Sequence, residues 1–308
     1  MLRGSDPTPE PYPQPTQDTR WRELVIVVGG YQSCSCIEDG SFDALKSRLV
    51  AAGYDVERFG QDPRFPYDTF GAIEPNAINL RDEVRERGRS YAGVHIVTHS
   101  MGGVVADQAF ADGLSANDGV LTYVSWSAPH NGSASAMALD VVQRAAGGHD
   151  ELLQSGLRYL GMDPATDATR DLATVRPVAP PAGVVRLDLR ESTDALVIAR
   201  DAVDPGVPSR VLTGPLEGHG GILSDPNAID MTVSTIAARR VPPEDRRAQA
   251  LAHVAGDQQR LVNIEVLAAL CVLTVALCFA TKRLRAPIEA IGWAASHVVP
   301  PSKRKRCA

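Results

Sequence analysis

From Glu23 onward, short β-branched apolar runs alternate with amphipathic stretches of helical period, and this alternation restricts the possible folds more than any other feature of the chain. The apolar runs are "ELVIVVGG" (23–30), "YDVERF" (54–59), "VHIVTH" (94–99), "VLTYVSWSAP" (120–129), "VVRLDL" (184–189) and "SRVLTG" (209–214). Between them, "SFDALKSRLVAAG" predicts a helix with Ser41 as N-cap and Gly53 as stop, and "NAINLRDEVRERG" predicts another over 76–88. "MGGVVADQAFADG" follows the third run, and a last helix is expected from about Asn227 to Arg240. Strands that alternate with helices build parallel βαβ units, so a mostly parallel sheet with helices on both faces is expected. In such sheets the reactive groups gather at the carboxyl ends of the strands.

Composition removes several alternatives. The chain of 308 residues has a net charge of -6, which does not suit a phosphate-neutralising face, so nucleic acid is not an expected partner. Five cysteines, among them Cys34 and Cys36 in one loop, form no framework of disulfide spacing. No second cysteine or histidine pair stands at ligand spacing, so no metal site is expected, and nothing calls for a cofactor.

The stretch "HIVTHSMGGVVA" (95–106) carries the chemistry. Ser100 falls where a buried strand hands over to a helix, and the N–H of Met101 then points out of the helix N-terminus towards developing negative charge. "THSMGG" resembles the nucleophile elbow, GxSxG, of the α/β-hydrolase superfamily, and especially of its lipase and esterase branch. The resemblance covers roughly Glu23 to Arg240, with one departure: the first glycine of the motif is Thr98.

That resemblance implies the chain order serine, acid, histidine. Asp194, after the strand ending near Leu189, is the expected acid, and His219, in the glycine-rich loop after the next strand, the expected base. Asp188, Asp201 and Asp204 are rivals for the acid. The second oxyanion donor is expected in the loop after the first strand, at the N–H of Tyr31 or Gln32. His99 is expected to be packed and hydrogen-bonded rather than reactive. His130, in "SAPHNGS", and Trp126 are expected at the pocket, with His130 shaping the site. The implied activity is cleavage of a small-molecule or lipid carboxylic ester through an acyl-enzyme. The competing class is a non-catalytic module of the same fold that binds a ligand or tethers a partner to the membrane.

Residues outside the alternation suggest further divisions. The Pro-rich leader 1–20 has no apolar core of a signal peptide and is expected to be disordered. The stretch 131–183 breaks the alternation and is expected to form a helical cap, in which Leu139, Val142, Leu152, Leu153, Leu157 and Leu160 face either an acyl chain or the core. After a linker at 241–260, the apolar run 261–281 is expected to be a membrane-anchoring helix, followed by a basic tail at 282–308. The catalytic domain is then expected to be membrane-associated on the cytoplasmic side, the alternative being a soluble cytoplasmic protein in which the run is a buried or interfacial helix.

Overall fold

The computed structural model describes residues 22–31, 33, 41–134, 136, 166–179, 181–198, 201–202, 206–213 and 218–241. The leader, most of the cap with its six apolar residues, and everything beyond Val241, including the run 261–281, lie outside them.

Among the described residues, six strands form one sheet: β1 Glu23–Val28, β2 Asp55–Arg58, β3 Gly93–His99, β4 Val120–Trp126, β5 Val185–Glu191 and β6 Ser209–Leu212. Their spatial order is β2-β1-β3-β4-β5-β6, and every neighbouring pair is parallel. The helices are α1 Asp43–Ala51, α2 Ile73–Gly88, α3 Met101–Ala111, α4 Asp167–Leu172 and α5 Pro226–Ala237. No helix of the described residues is long and apolar enough to cross a membrane.

Alternation along the strands sorts the core into two layers. Leu24, Ile26 and Val28 of β1 and Val94 and Ile96 of β3 face α2, α3 and α4, meeting Leu80, Val84, Val104, Val105 and Leu172. Val25, Val27, Val97 and Trp126 face the other way, towards Leu45 and Leu49 of α1 and Ile229 and Ile236 of α5. A strand buried on both faces must be apolar at successive positions, which is why β1 and β3 read as unbroken runs.

Three helix starts differ from the sequence expectation, each for a physical reason. Ser41 does not cap α1: Phe42 occupies the cap position without a side-chain bond, and Asp43 complements the helix dipole in the first turn. Helix α2 begins at Ile73, three residues earlier than expected, because Pro75 is tolerated in a first turn and the Ile73 N–H donates to Asp171 Oδ2 at 2.8 Å. That cap arrives from 98 residues downstream. Helix α5 begins with Pro226 behind Asp225, whose carboxylate accepts from Asn227 N at 2.6 Å, and it ends at Ala237 rather than Arg240.

Candidate active site

The loops that follow β3, β5 and β6 meet at the carboxyl edge of the sheet. β3 ends at His99 and α3 starts at Met101, leaving Ser100 alone to make the turn with φ 54 and ψ -129. A non-glycine residue in this region carries strain, of order 1–3 kcal/mol, which the packed surroundings must hold. Two features keep the turn sharp. The Ser100 N–H donates to Trp126 O at 2.9 Å, and Gly103 N donates back to Ser100 O at 2.9 Å.

The elbow leaves no room for side chains beside it. A β-carbon on Gly102 would lie 2.5 Å from Val28 O and 2.6 Å from Gly29 O, both backbone atoms of the first loop. Thr98, in place of the motif's first glycine, is fully buried and fits because its hydroxyl lies towards Gly103, where a β-carbon would come within 3.2 Å of it. Gly103 supplies the space that a larger residue there would fill.

His219 joins the two other candidates. Its Nε2 lies 2.7 Å from Ser100 Oγ, and its Nδ1 lies 2.7 Å from Asp194 Oδ2. The imidazole is 15% exposed while the Asp194 side chain is fully buried, so the line of groups runs from solvent into the protein. Asp194 Oδ1 accepts from Leu196 N at 2.9 Å and Val197 N at 2.8 Å, which locks the carboxylate in the turn after β5. Burial alone would raise the Asp194 carboxyl, but the hydrogen bond and charge of His219 and the two N–H donors outweigh it and hold the group below its ordinary value.

Met101 opens α3, so its N–H belongs to the first-turn set that has no acceptor within the helix. Opposite it, the backbone of the first loop turns at Gly30, whose carbonyl accepts from Ser33 N at 3.1 Å and Ser33 Oγ at 2.6 Å. Gly30 sits directly against Ser100, which brings the Tyr31 peptide beside the elbow. Tyr31 is partly buried, with its ring edge-on to Phe70 at 5.3 Å between centroids. Gln32 lies outside the described residues, as do Cys34 and Cys36.

Comparison with known proteins agrees with this architecture. The family profile of the PGAP1-like alpha/beta domain matches residues 76–151. The lipase BlEst2 of Bacillus licheniformis superposes with a TM-score of 0.53 at 15% identity, over 76% of this chain and 97% of that one. Lipase B of Aspergillus fumigatus superposes with a TM-score of 0.50 at 16% identity, over 75% of this chain and 56% of that one. No curated protein sequence matches the chain.

The chain has the α/β-hydrolase fold.

In this α/β-hydrolase fold two of the rival acids are engaged elsewhere. Asp188 lies within β5, where its Oδ1 accepts from Ser125 Oγ at 2.7 Å and pairs with Arg186 Nε at 3.3 Å. Asp201 accepts from Ala134 N at 3.1 Å. Asp204 lies outside the described residues.

Two pocket expectations are corrected. Trp126 is fully buried, with Nε1 donating to Thr232 Oγ1 at 2.9 Å across to α5, so it is a core residue between sheet and helix. His130 is also fully buried and belongs to a charged cluster beneath the elbow. Its Nδ1 meets Asp107 Oδ2 at 2.5 Å and its Nε2 meets Ser125 Oγ at 2.9 Å. Ser125 gives its hydroxyl proton to Asp188, so towards His130 it presents a lone pair and both ring nitrogens act as donors. Burial lowers the His130 pKa, but Asp107 and Asp188 overcome that and raise it above the ordinary value, while Arg186 works against them. Arg186 also pairs with Asp107 Oδ1 at 3.2 Å, so the cluster ties α3 to β4 and β5.

Two features have weak sequence signals. Ser127, directly after β4, has φ 45, a second strained residue beside the elbow. His99, read as a packed residue, lies against His219 itself. Among the described residues no group of three or more histidine, cysteine or acidic side chains is arranged to hold a metal.

Proposed function

We propose that this α/β-hydrolase-fold protein is a serine hydrolase of carboxylic esters, with Ser100 as nucleophile, His219 as general base and then acid, and Asp194 as the group that orients the imidazole. The reading is carried by one observation: His219 bridges Ser100 and Asp194 through its two ring nitrogens at 2.7 Å each. A serine hydroxyl is a weak nucleophile until a positioned base takes its proton, and the base needs a fixed tautomer.

In the proposed reaction Ser100 Oγ attacks the ester carbonyl carbon while its proton passes to His219 Nε2. The carbonyl oxygen gains the charge and lies before the Met101 and Tyr31 peptides. Collapse breaks the bond to the leaving alcohol, whose oxygen takes the proton from His219, and Ser100 keeps the acyl group. Water, deprotonated by the same imidazole, then attacks the acyl carbon, the bond to Ser100 Oγ breaks as that oxygen takes the proton back from His219, and the carboxylic acid is released. Asp194 remains ionised throughout and stabilises the transient imidazolium.

The lipase names of the two structural relatives are consistent with this class of substrate. The proposal includes lipid esters, with the run 261–281 bringing the enzyme to the membrane.

A fluorophosphonate probe tests the reading. It is expected to label Ser100, and Ser100→Ala is expected to lose both labelling and hydrolysis of p-nitrophenyl esters. Labelling that persists in the alanine variant would place the nucleophile elsewhere. Absence of labelling in the wild type would favour a non-catalytic binding module.

A further inference from the structure

The turn that carries His219 has little packing of its own. Gly218, at φ +66, and Gly220 flank the histidine, and a β-carbon at either would meet nothing within 4 Å. A base in such a turn needs an external reference if Nε2 is to serve first Ser100 Oγ and then the leaving-group oxygen.

His99 occupies the place where such a reference would sit. It is the last residue of β3, and period-two alternation puts it on the same face as Val97, the face on which Ile222 of the following turn is buried. His99 is only 9% exposed. Its Nε2 stands 3.0 Å from the main-chain carbonyl oxygen of His219. A carbonyl has only lone pairs to offer, so Nε2 must carry a proton and donate it. The two rings also lie against each other, with centroids 4.8 Å apart at 40°.

We propose that His99 is a positioning residue for His219, a role that rests on the catalytic reading of Ser100, His219 and Asp194. The hydrogen bond sets the height of the turn above β3, and the ring contact sets the plane of the imidazole. Asp194 and His99 thus restrain the base from opposite ends, one through Nδ1 and the other through its backbone. His99 does not handle the reacting proton, because its Nε2 is directed at the carbonyl. Its effect belongs in the chemical step, since a base displaced by about 1 Å costs on the order of 100-fold in rate.

Two variants of the full-length chain separate donor from ring. His99→Phe keeps an aromatic ring without a donor, and His99→Gln keeps an N–H donor on a flexible stem. In p-nitrophenyl ester hydrolysis, His99→Phe is expected to lower kcat by about 10- to 100-fold with KM within about twofold of wild type. His99→Gln is expected to recover a clear part of that loss. If the phenylalanine variant does not fold, His99→Ala takes its place. The downfield proton NMR signal of the His219 Nδ1–H, sharp in the wild type, is expected to broaden in the donor-less variant and sharpen again in the glutamine variant. A donor-less variant with wild-type kcat, a rise in KM alone, or a glutamine variant no better than phenylalanine would overturn the assignment. A wild type that neither hydrolyses esters nor takes the phosphonate sinks the catalytic reading instead, and an unchanged Nδ1–H signal in the donor-less variant then overturns the positioning role separately.

Discussion

Gly30 and Ser100 are packed so closely that a β-carbon on the glycine would stand 2.7 Å from Cβ of the serine. The approach places the first-loop backbone against the elbow, where peptide N–H groups stabilise an oxyanion only if they stand within hydrogen-bond distance of it. Gly30→Ala is therefore expected to push the loop away and lower kcat/KM by about 100-fold, while destabilising the fold by only about 1–3 kcal/mol. Gly102→Ala should be worse for folding, because its β-carbon meets backbone oxygens that cannot rotate aside. Thermal unfolding beside ester kinetics separates the two effects, and an alanine at Gly30 that leaves activity intact would remove this loop from the site.

Asp194 makes a sharper prediction about chemistry. Its carboxylate accepts from His219 Nδ1–H and from two backbone N–H groups. An amide at this position presents an NH₂ to one of those donors or to the imidazole, and the ring is then free to adopt the tautomer that cannot take the serine proton. Asp194→Asn is expected to fold and to lose about 10⁴-fold in kcat, by the precedent of other triads. Asp188→Asn, by contrast, should act through the buried cluster on stability. A larger kcat loss at Asp188 than at Asp194 would mean the wrong acid was assigned.

The fold was legible wherever the signal was local. Unbroken apolar runs place β1 and β3, because a doubly covered parallel strand cannot hide its composition, the alternation with helices places the other strands, and the strand-to-helix turn at Ser100 is visible in the six residues of "THSMGG". What was not legible depended on partners far along the chain. The start of α2 rests on Asp171, and the interior position of Trp126 rests on Thr232. His99 could be placed on a face by counting from Val97, yet nothing nearby reveals that a carbonyl 120 positions later would receive its proton. His130 misled for a different reason. A histidine between proline and a polar turn reads as a loop residue, and only the convergence of Asp107, Ser125 and Asp188 sets it inside a buried cluster that favours its protonated form.

His130 couples stability to pH. The His130 pKa is raised in the folded protein above its ordinary 6.5. The stabilisation from its protonated form is then fully present below pH 6.5 and is lost as pH rises through the folded value. His130→Gln removes the charge at every pH. The difference in unfolding free energy between wild type and His130→Gln is expected to be greatest in mildly acidic buffer and to shrink through the alkaline range, as followed by urea denaturation at several pH values. A difference that stays constant or widens with rising pH would show that His130 is neutral in the fold.

A second buried charge clamps the other edge of the sheet. Arg87, at the end of α2 and 1% exposed, pairs through Nε with Glu57 Oε2 at 3.0 Å and through Nη2 with Asp62 Oδ2 at 3.2 Å. Removing the guanidinium takes a donor from buried Glu57, while Asp62 keeps Arg64 Nη2 at 2.6 Å, so the loss is expected to be about 1–3 kcal/mol. Arg87→Met is expected to show that loss in urea midpoint while kcat of the folded fraction stays close to wild type, since the clamp joins β2 to α2 and not the serine to its base.

The end of the described residues bears on the membrane proposal. Val241 is 7% exposed, and its N–H donates to Glu23 Oε1 at 2.7 Å, so the chain after α5 returns to the foot of β1. A protein stopped after Val241 keeps that bond, the complete sheet and all three candidate catalytic side chains. It is expected to hydrolyse p-nitrophenyl esters at the full-length rate and to remain in the supernatant on ultracentrifugation. Stopping one residue earlier removes the Val241 N–H and exposes the Glu23 carboxylate, which should lower stability by about 1–3 kcal/mol. The full-length chain, with 261–281 present, is expected to sediment with membranes and to resist extraction by high salt. Buried apolar residues hold through hydrocarbon contact, whereas a basic tail alone is screened by added ions. Release of the full-length chain by salt, or its recovery in the supernatant from the start, would assign the run 261–281 to packing or peripheral contact instead.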